Sequence, residues 1–270
     1  MGVARRARTP GRWLGRFQLH RDLLVVLVQR EIKVRYKQSV MGILWAILMP
    51  ALIVGAGVIV KVAMAKLSGS SVSTQSLALV TVKAIPWAFF AGAVKQSSMS
   101  LISNNNLVTK IYTPREVFPL SSVLAQSFDS LVGAAVLAFL LPLLGVGLSA
   151  RLLLLPVFAA ELFFLTAALG LFLSAGSLFF RDVKYLVEVF ITFGIFFTPV
   201  FYEASMFDRW SSLILLNPVA PILEGIGAAV VGTSFVATGW FVYSGVFATV
   251  GFVLAFMAFK RMEPYFAESV

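Results

Sequence analysis

The sequence predicts an all-α integral membrane protein with six transmembrane helices. Three observations point there. The 270 residues are 59% hydrophobic and only 13% charged, with a mean hydropathy of +0.92. A soluble domain carries roughly 25% charged residues, so an apolar excess this large needs lipid as its solvent. Six stretches are long enough to cross a hydrocarbon core, which takes about 20 apolar residues. Lys and Arg are also shared very unevenly between the loops on the two sides.

Residues 1–40 form a basic tail followed by an amphipathic helix over 19–38. Leu24, Val28, Ile32 and Tyr36 recur every four residues, and Arg30, Lys33 and Lys37 form a separate stripe. That is the pattern of a helix lying in the membrane interface, apolar face in lipid and basic face toward phosphates. Ile32, Val34 and Tyr36 also alternate as in a strand, but a lone strand there would leave its backbone unpaired. Such a helix is either a simple anchor or a docking surface for a cytoplasmic partner. Arginines run up to the first apolar stretch with no small-residue cleavage site beyond it, so the segment does not read as a cleaved signal.

Residues 41–270 read as one transmembrane domain. Its spans are 41–62, 84–103 (opened by Pro86 and Trp87), 118–146, 152–178, 185–201 and 235–259. The stretch 217–231 is apolar too, but Pro218, Pro221, Gly225 and Gly227 interrupt it. It is expected to form short re-entrant helices, which are tolerated where protein covers them. Sixteen Lys and Arg fall on the side of the N-terminal tail, against five on the other: Lys61, Lys66, Lys83, Arg151 and Arg209. The richer side should be cytoplasmic, which puts both termini there. Topology thus accounts for the net charge of +10 without nucleic acid.

Catalytic chemistry is missing. There is no Cys and one His, His20, so neither a thiolate nor a histidine metal site is expected. No Gly-Lys pair occurs, which removes the phosphate-binding loop, and neither H-E-x-x-H nor G-x-S-x-G is present. No catalytic residue, metal or bound cofactor is expected on this chain. Three ionisable residues, Lys95, Asp129 and Glu161, fall near mid-span, about 14–17 Å deep at 1.5 Å per residue. A charge at that depth is costly unless paired or wetted, so Lys95 is expected to pair with Asp129 or Glu161. The three are either structural or part of an ion pathway.

Four blocks of residues resemble the permease subunit of bacterial ATP-binding-cassette exporters of polysaccharides such as O-antigen and teichoic acid. They are Arg30-Glu31-Ile32-Lys33-Val34-Arg35-Tyr36-Lys37-Gln38-Ser39 with Gly42, Trp45 and Pro50; Ile85-Pro86-Trp87 through Asn106-Leu107-Val108-Thr109-Lys110-Ile111-Tyr112 and Pro114-Arg115; Phe180-Arg181-Asp182 through Thr198-Pro199-Val200-Phe201-Tyr202; and Leu216-Asn217-Pro218-Val219 through Glu224-Gly225. They occur in the family's order and span about residues 23–259.

The resemblance implies a homodimer with two copies of a cytoplasmic P-loop ATPase, which would hold the ATP and Mg. The substrate would be a lipid-linked polysaccharide, moved across the bacterial cytoplasmic membrane. Contact with the ATPase would fall to Arg30, Glu31, Lys33 and Arg35, to a coupling loop at 104–117 (Asn104, Asn106, Lys110, Tyr112, Arg115), and to Arg181 and Asp182. Arg30, Lys33, Arg35 and Lys37 would be candidates for holding the lipid diphosphate. A channel between the two copies would be lined by aromatics, drawn from Trp45, Trp87, Phe89, Phe90, Phe193, Phe196, Phe197 and Tyr202. Gate helices would occupy 202–232, with Asn217, Pro218 and Glu224. One position departs from the family: many relatives carry a polar residue two positions after the Glu-Gly pair, where this chain has Gly227. Competing readings are a drug or lipid exporter of the same superfamily and an ion-coupled carrier built on Lys95, Asp129 and Glu161.

Overall fold

A computed structural model describes residues 11–37, 40–42, 44–69, 71–110, 113–143, 145–147 and 149–267. The described residues form helices and no strand. Five helices are long and apolar enough to cross a membrane. They are α2 (Leu44–Ser68), α3 (Thr74–Ser98), α6 (Val117–Leu143), α7 (Leu155–Phe179), preceded by a 3-10 turn at Ala150–Leu154, and α11 (Thr238–Met262). Before them lies α1 (Gly11–Lys37), and between α3 and α6 two short helices, α4 (Ser100–Ser103) and α5 (Asn105–Lys110). After α7 come α8 (Val183–Phe197), a 3-10 turn at Ala204–Trp210, α9 (Ser211–Leu215) and α10 (Val219–Val231).

The expected fifth span, 185–201, is therefore shorter than a span should be. Its helix α8 has 15 residues, about 22 Å at 1.5 Å per residue, against a core of about 30 Å. Thr198, already extended at φ −116° and ψ 137°, ends it. The second span is also displaced. Its helix begins at Thr74, ten residues before the expected start, with the Ser73 hydroxyl accepting from the Ser76 amide at 3.1 Å as an N-cap. Two consequences follow. Lys83 lies well inside the helix and is not a loop residue, and Lys95 lies in its last turn and not at mid-span.

Helix α3 is the axis of the bundle. It packs against α2, α6, α7, α8 and α10, while α11 packs chiefly on α7. Its window is 72% buried, against 6% for α2 and 11% for α11, so α2 and α11 are peripheral. The central apolar cluster gathers Trp87, Phe90 and Val94 of α3, Phe158, Leu162 and Leu165 of α7, and Ile222 and Leu223 of α10. A second cluster binds one end of the bundle: Leu27 of α1, Leu101, Val108, Phe118, Leu171, Phe259 and Phe266. The N-terminal helix, the α4–α5 segment and the C-terminal turn at Glu263–Ala267 thus meet at the same end, called here the inner end.

Candidate functional site

At the inner end, α1 is not simply laid on a surface. Leu23, Leu24, Leu27, Val28, Glu31, Ile32, Arg35 and Tyr36 turn inward at helical spacing, and Val25, Val26, Gln29, Arg30, Lys33, Val34 and Lys37 turn out. The inner face carries two charges, and both are answered. Glu31 accepts from the Ser121 and Ser122 hydroxyls at 3.0 Å each, and from the Gln96 amide at 3.5 Å. Burial nonetheless pushes its carboxyl above the usual carboxylate range, the two hydroxyls opposing the shift. Arg35 donates to Asp129 and Gln96, and to Gln126 at 3.0 Å. Tyr36 donates to the other Asp129 oxygen, and burial, reinforced by that carboxylate, pushes the phenol up to about 12. Arg35, Tyr36, Gln96, Gln126 and Asp129 border a cavity of about 530 Å³ whose remaining walls are mostly apolar residues of α2 and α3.

The three mid-span charges thus do not form the expected set. Asp129 pairs with Arg35, a residue of the N-terminal helix. Lys95 pairs with Glu188 of α8 at 2.8 Å, with both side chains about 60% exposed. Glu161 accepts from Ser244 of α11 at 3.3 Å. Lys95 and Asp129 border the same cavity, but Arg35 of α1 takes the carboxylate and Glu188 of α8 takes the lysine.

Several residues expected to contact a partner are spent inside the chain. Arg30 donates to Asn104, whose own amide donates to the Ser100 carbonyl at 2.8 Å. Arg115 donates to the Glu263 carbonyl, and its backbone amide donates to the Glu263 carboxylate at 3.2 Å. Lys260 donates to Glu116 at 2.6 Å. Glu31, Arg35, Asn104 and Arg115 therefore hold the inner end together through contacts within the chain. Lys33, Asn106, Arg181 and Asp182 are exposed. Tyr112 and the side chain of Lys110 lie outside the described residues. A shallow groove of about 460 Å³ runs along the outer face of α1, lined by Val26, Gln29, Arg30, Lys33, Val34 and Lys37.

The aromatic candidates divide in the same way. Trp87, Phe89 and Phe90 are buried, Trp87 and Phe90 with ring centroids 5.6 Å apart. Trp87 packs so close to α8 that a Cβ at Gly194 would lie 3.3 Å from its ring. Trp87 and Phe90 are core residues, which corrects their assignment to a channel wall; Phe89 borders the 530 Å³ cavity from within the bundle. Phe193, Phe196 and Phe197 are exposed on α8, and Trp45 is exposed on α2. Tyr202 is half-buried and donates to the Phe196 carbonyl at 3.0 Å.

At the opposite, outer end the short helices are pinned by a residue that the sequence reading placed in a loop. Lys83 is 1% exposed. Its ammonium donates to the Tyr202 carbonyl at 2.6 Å and to Glu224 at 3.3 Å. Glu224 also accepts from the Ala204 amide at 3.0 Å. One lysine of α3 therefore fixes both the chain leaving α8 and α10. Asn217 adds a corner: its amide donates to Thr198 at 2.9 Å while its carbonyl accepts from the Val219 amide at 3.1 Å, with Pro218 between as the N-cap residue of α10. A Lys in a ten-residue stretch of apolar and small residues was the available signal, hidden by the misplaced helix start.

Among the described residues no group of acidic and histidine side chains could hold a metal ion. Residues 22–231 match the family described as ABC-2 type transporter. Two proteins of Klebsiella pneumoniae named O-antigen export system permease protein RfbA are 31% and 29% identical to this chain. Each alignment runs over 204 residues, 75% of this chain and 77% of the relative. A protein of the same name from Myxococcus xanthus is 29% identical over 216 residues, 77% of this chain and 80% of its own length. With its apolar crossing helices and a family match that runs from within α1 to the end of α10, this chain belongs to the ABC-2 type transporter family of multi-pass membrane subunits.

Proposed function

We propose that the chain is the membrane subunit of an ATP-driven exporter of lipid-linked polysaccharide, acting as a homodimer with two copies of a cytoplasmic P-loop ATPase. The relatives' names support the substrate class. The observation that carries the coupling is the inner-end junction. Arg30–Asn104, Arg115–Glu263 and Lys260–Glu116 tie α1, the 100–116 segment and the C-terminal turn into one body. A push on the exposed Asn106 then reaches α1, α6 and α11 together.

The same junction supports six crossings with both termini cytoplasmic. A chain whose ends meet at one end of a bundle crosses it an even number of times, and five long helices leave one crossing for α8. The 15 residues of α8 lead into 198–201, and Phe201 is buried against α2 near Gly57. The exposed face of α8 supports a channel between two copies. Phe193, Phe196 and Phe197 lie there, and the Lys95–Glu188 pair is exposed beside them. An exposed ion pair sits most easily in a wet setting, which supports water or a second copy on this side. Rings on such a wall stack on the C–H faces of sugars without gripping them. The ion-coupled alternative loses ground, since Lys95, Asp129 and Glu161 each have separate partners.

The test is reconstitution with a P-loop ATPase from the same organism, with single cysteines at Asn106 and Arg181. Cross-links from both positions to the ATPase, and restored glycan display in a strain lacking its own permease, are expected. A chain that displays glycan without any ATPase would sink the proposal.

A further inference from the structure

Helices α6 and α7 do not close on each other along their outer half. Between them lies an open cleft of about 660 Å³ whose walls come from α3, α6, α7 and α10, a size typical of small-ligand sites. Its origin is compositional. Ser127, Ser130, Ala134 and Ala138 form one stripe of small side chains on α6, and Pro156 and Ala159 face them from α7. Leu137, Leu141, Leu162, Ile226 and Val230 make the cleft apolar throughout, with the two serines at its deep end.

Its height is the telling feature. It runs from Ser127 to Pro142 on α6 and on to Val146 and Gly147 at the rim. Fifteen helical residues measure about 22 Å, about three quarters of a core about 30 Å thick and short of a full crossing. Ser127 lies ten residues into α6 from the inner end, near mid-depth. A partner helix would need a groove through the whole bilayer, whereas a single lipid chain needs one leaflet.

The rim supplies the complementary charge. Arg151 precedes Leu152, which lines the cleft, and it is exposed. Its guanidinium donates to the Gly232 and Thr233 carbonyls at 3.2 and 2.8 Å and stacks over Phe235 at 5.4 Å. These contacts hold the cation in place without neutralising it, and among the described residues no carboxylate forms a salt bridge with it. We propose that the α6–α7 cleft is a binding site for one acyl chain of a glycerophospholipid, whose phosphate rests against Arg151. The proposal does not depend on what the protein transports.

The test uses the full chain in nanodiscs containing phosphatidylglycerol with a photoactivatable acyl chain, with adducts mapped by peptide mass spectrometry. Adducts should concentrate on 127–142 and 152–163, well above the exposed face of α11. Ala138→Trp, which fills the cleft from an exposed position, should bring them down to the α11 level, while Val250→Trp on α11 should change nothing. Should Ala138→Trp not fold, Ala134→Leu narrows the same cleft. Arg151→Gln should abolish any preference for phosphatidylglycerol over a diacylglycerol with the same chains. Labelling spread evenly over all exposed helices, or unaffected by filling the cleft, overturns the site. Equal labelling by the neutral lipid overturns the role of Arg151. Efficient cross-linking of two copies through Ala138→Cys would show a second helix in the cleft and overturn the lipid.

Discussion

The two ends of the bundle solve one problem in opposite ways. Each must hold short or oblique segments against long apolar helices, and each uses ion pairs to do it. At the inner end the charge is distributed. Asp129 has Arg35 and Tyr36, Arg35 has Gln96 and Gln126 as well, and the Arg35 and Asp129 side chains are 22% and 13% exposed. At the outer end it is concentrated. Lys83, 1% exposed, hydrogen-bonds one carboxylate and one carbonyl, with the Lys61–Glu203 pair, 3.9 Å apart, as its other charged neighbours. A network with spare hydrogen-bond partners can lose a member and rearrange more readily than a dry lysine with two. The inner end is held by many shared ties, the outer end chiefly by one buried lysine.

The largest effect should come from breaking the outer pair. Lys83→Met leaves Glu224 buried without its cation and should cost about 3–5 kcal/mol, read as a drop in thermal unfolding temperature in detergent. Adding Glu224→Met should recover most of it, because a matched apolar pair restores the balance. A single variant as stable as the double would mean that the outer end is wet.

Asp129→Ala should cost less, about 1–3 kcal/mol, since Arg35 keeps two glutamine oxygens. Cysteine cross-linking between α1 and α6 would then show whether α1 stays docked; release of α1 would mean that the spare partners do not compensate.

A smaller effect depends on pH. Burial raises the Glu31 carboxyl above its ordinary value, so folding favours its protonated form. The stability this contributes is complete below the ordinary carboxylate range and is lost as pH rises through the raised value. Glu31→Gln can still accept from Ser121 and Ser122, so it should flatten the stability–pH curve just above the carboxylate range. An unchanged slope would place the titrating group elsewhere.

Least of all should follow from Lys95→Met. Its pair with Glu188 is exposed, and exposed pairs contribute little to stability. The unfolding temperature should not move, yet glycan export should fall if that side lines a wet path. Unchanged export with unchanged stability would take the Lys95–Glu188 side out of the transport path.

Much of the fold was legible because period and length are strong signals in lipid. The helices at 118–146, 152–178 and 235–259 fall within a few residues of α6, α7 and α11. The start of α3 was not legible, because Thr74, Gln75, Ser76 and Lys83 read as a loop until Ser73 is seen to cap the helix and Glu224 to pair the lysine. The cap is a local signal, a serine directly before the helix, but the carboxylate that answers Lys83 comes from 141 residues further along the chain. The internal contacts of the residues assigned to a partner were not legible for the same reason. Glu31, Arg35, Asn104 and Arg115 have the composition of a docking surface, and only their contacts with Ser121, Asp129, Ser100 and Glu263 reveal them as internal ties. The aromatics show the limit most clearly. Trp87 and Phe196 are alike in type, yet one faces α8 and the other faces outward.

Gly227 is where the chain departs from its relatives, and the structure gives that departure a meaning. A Cβ there would lie 3.1 Å from Leu79 and 3.4 Å from the stem of Lys83. A side chain at 227 would therefore press on Leu79 and lie against the methylenes of the lysine. Positions 83 and 227 are a lock and its clearance, cut on different helices 144 residues apart in the sequence. They should evolve as one unit. Chains of this family with a long polar residue at the place of Gly227 should carry a short residue at the place of Lys83, with the cation delivered from α10 instead of α3. Bulk at both places should strain the packing of α10 on α3.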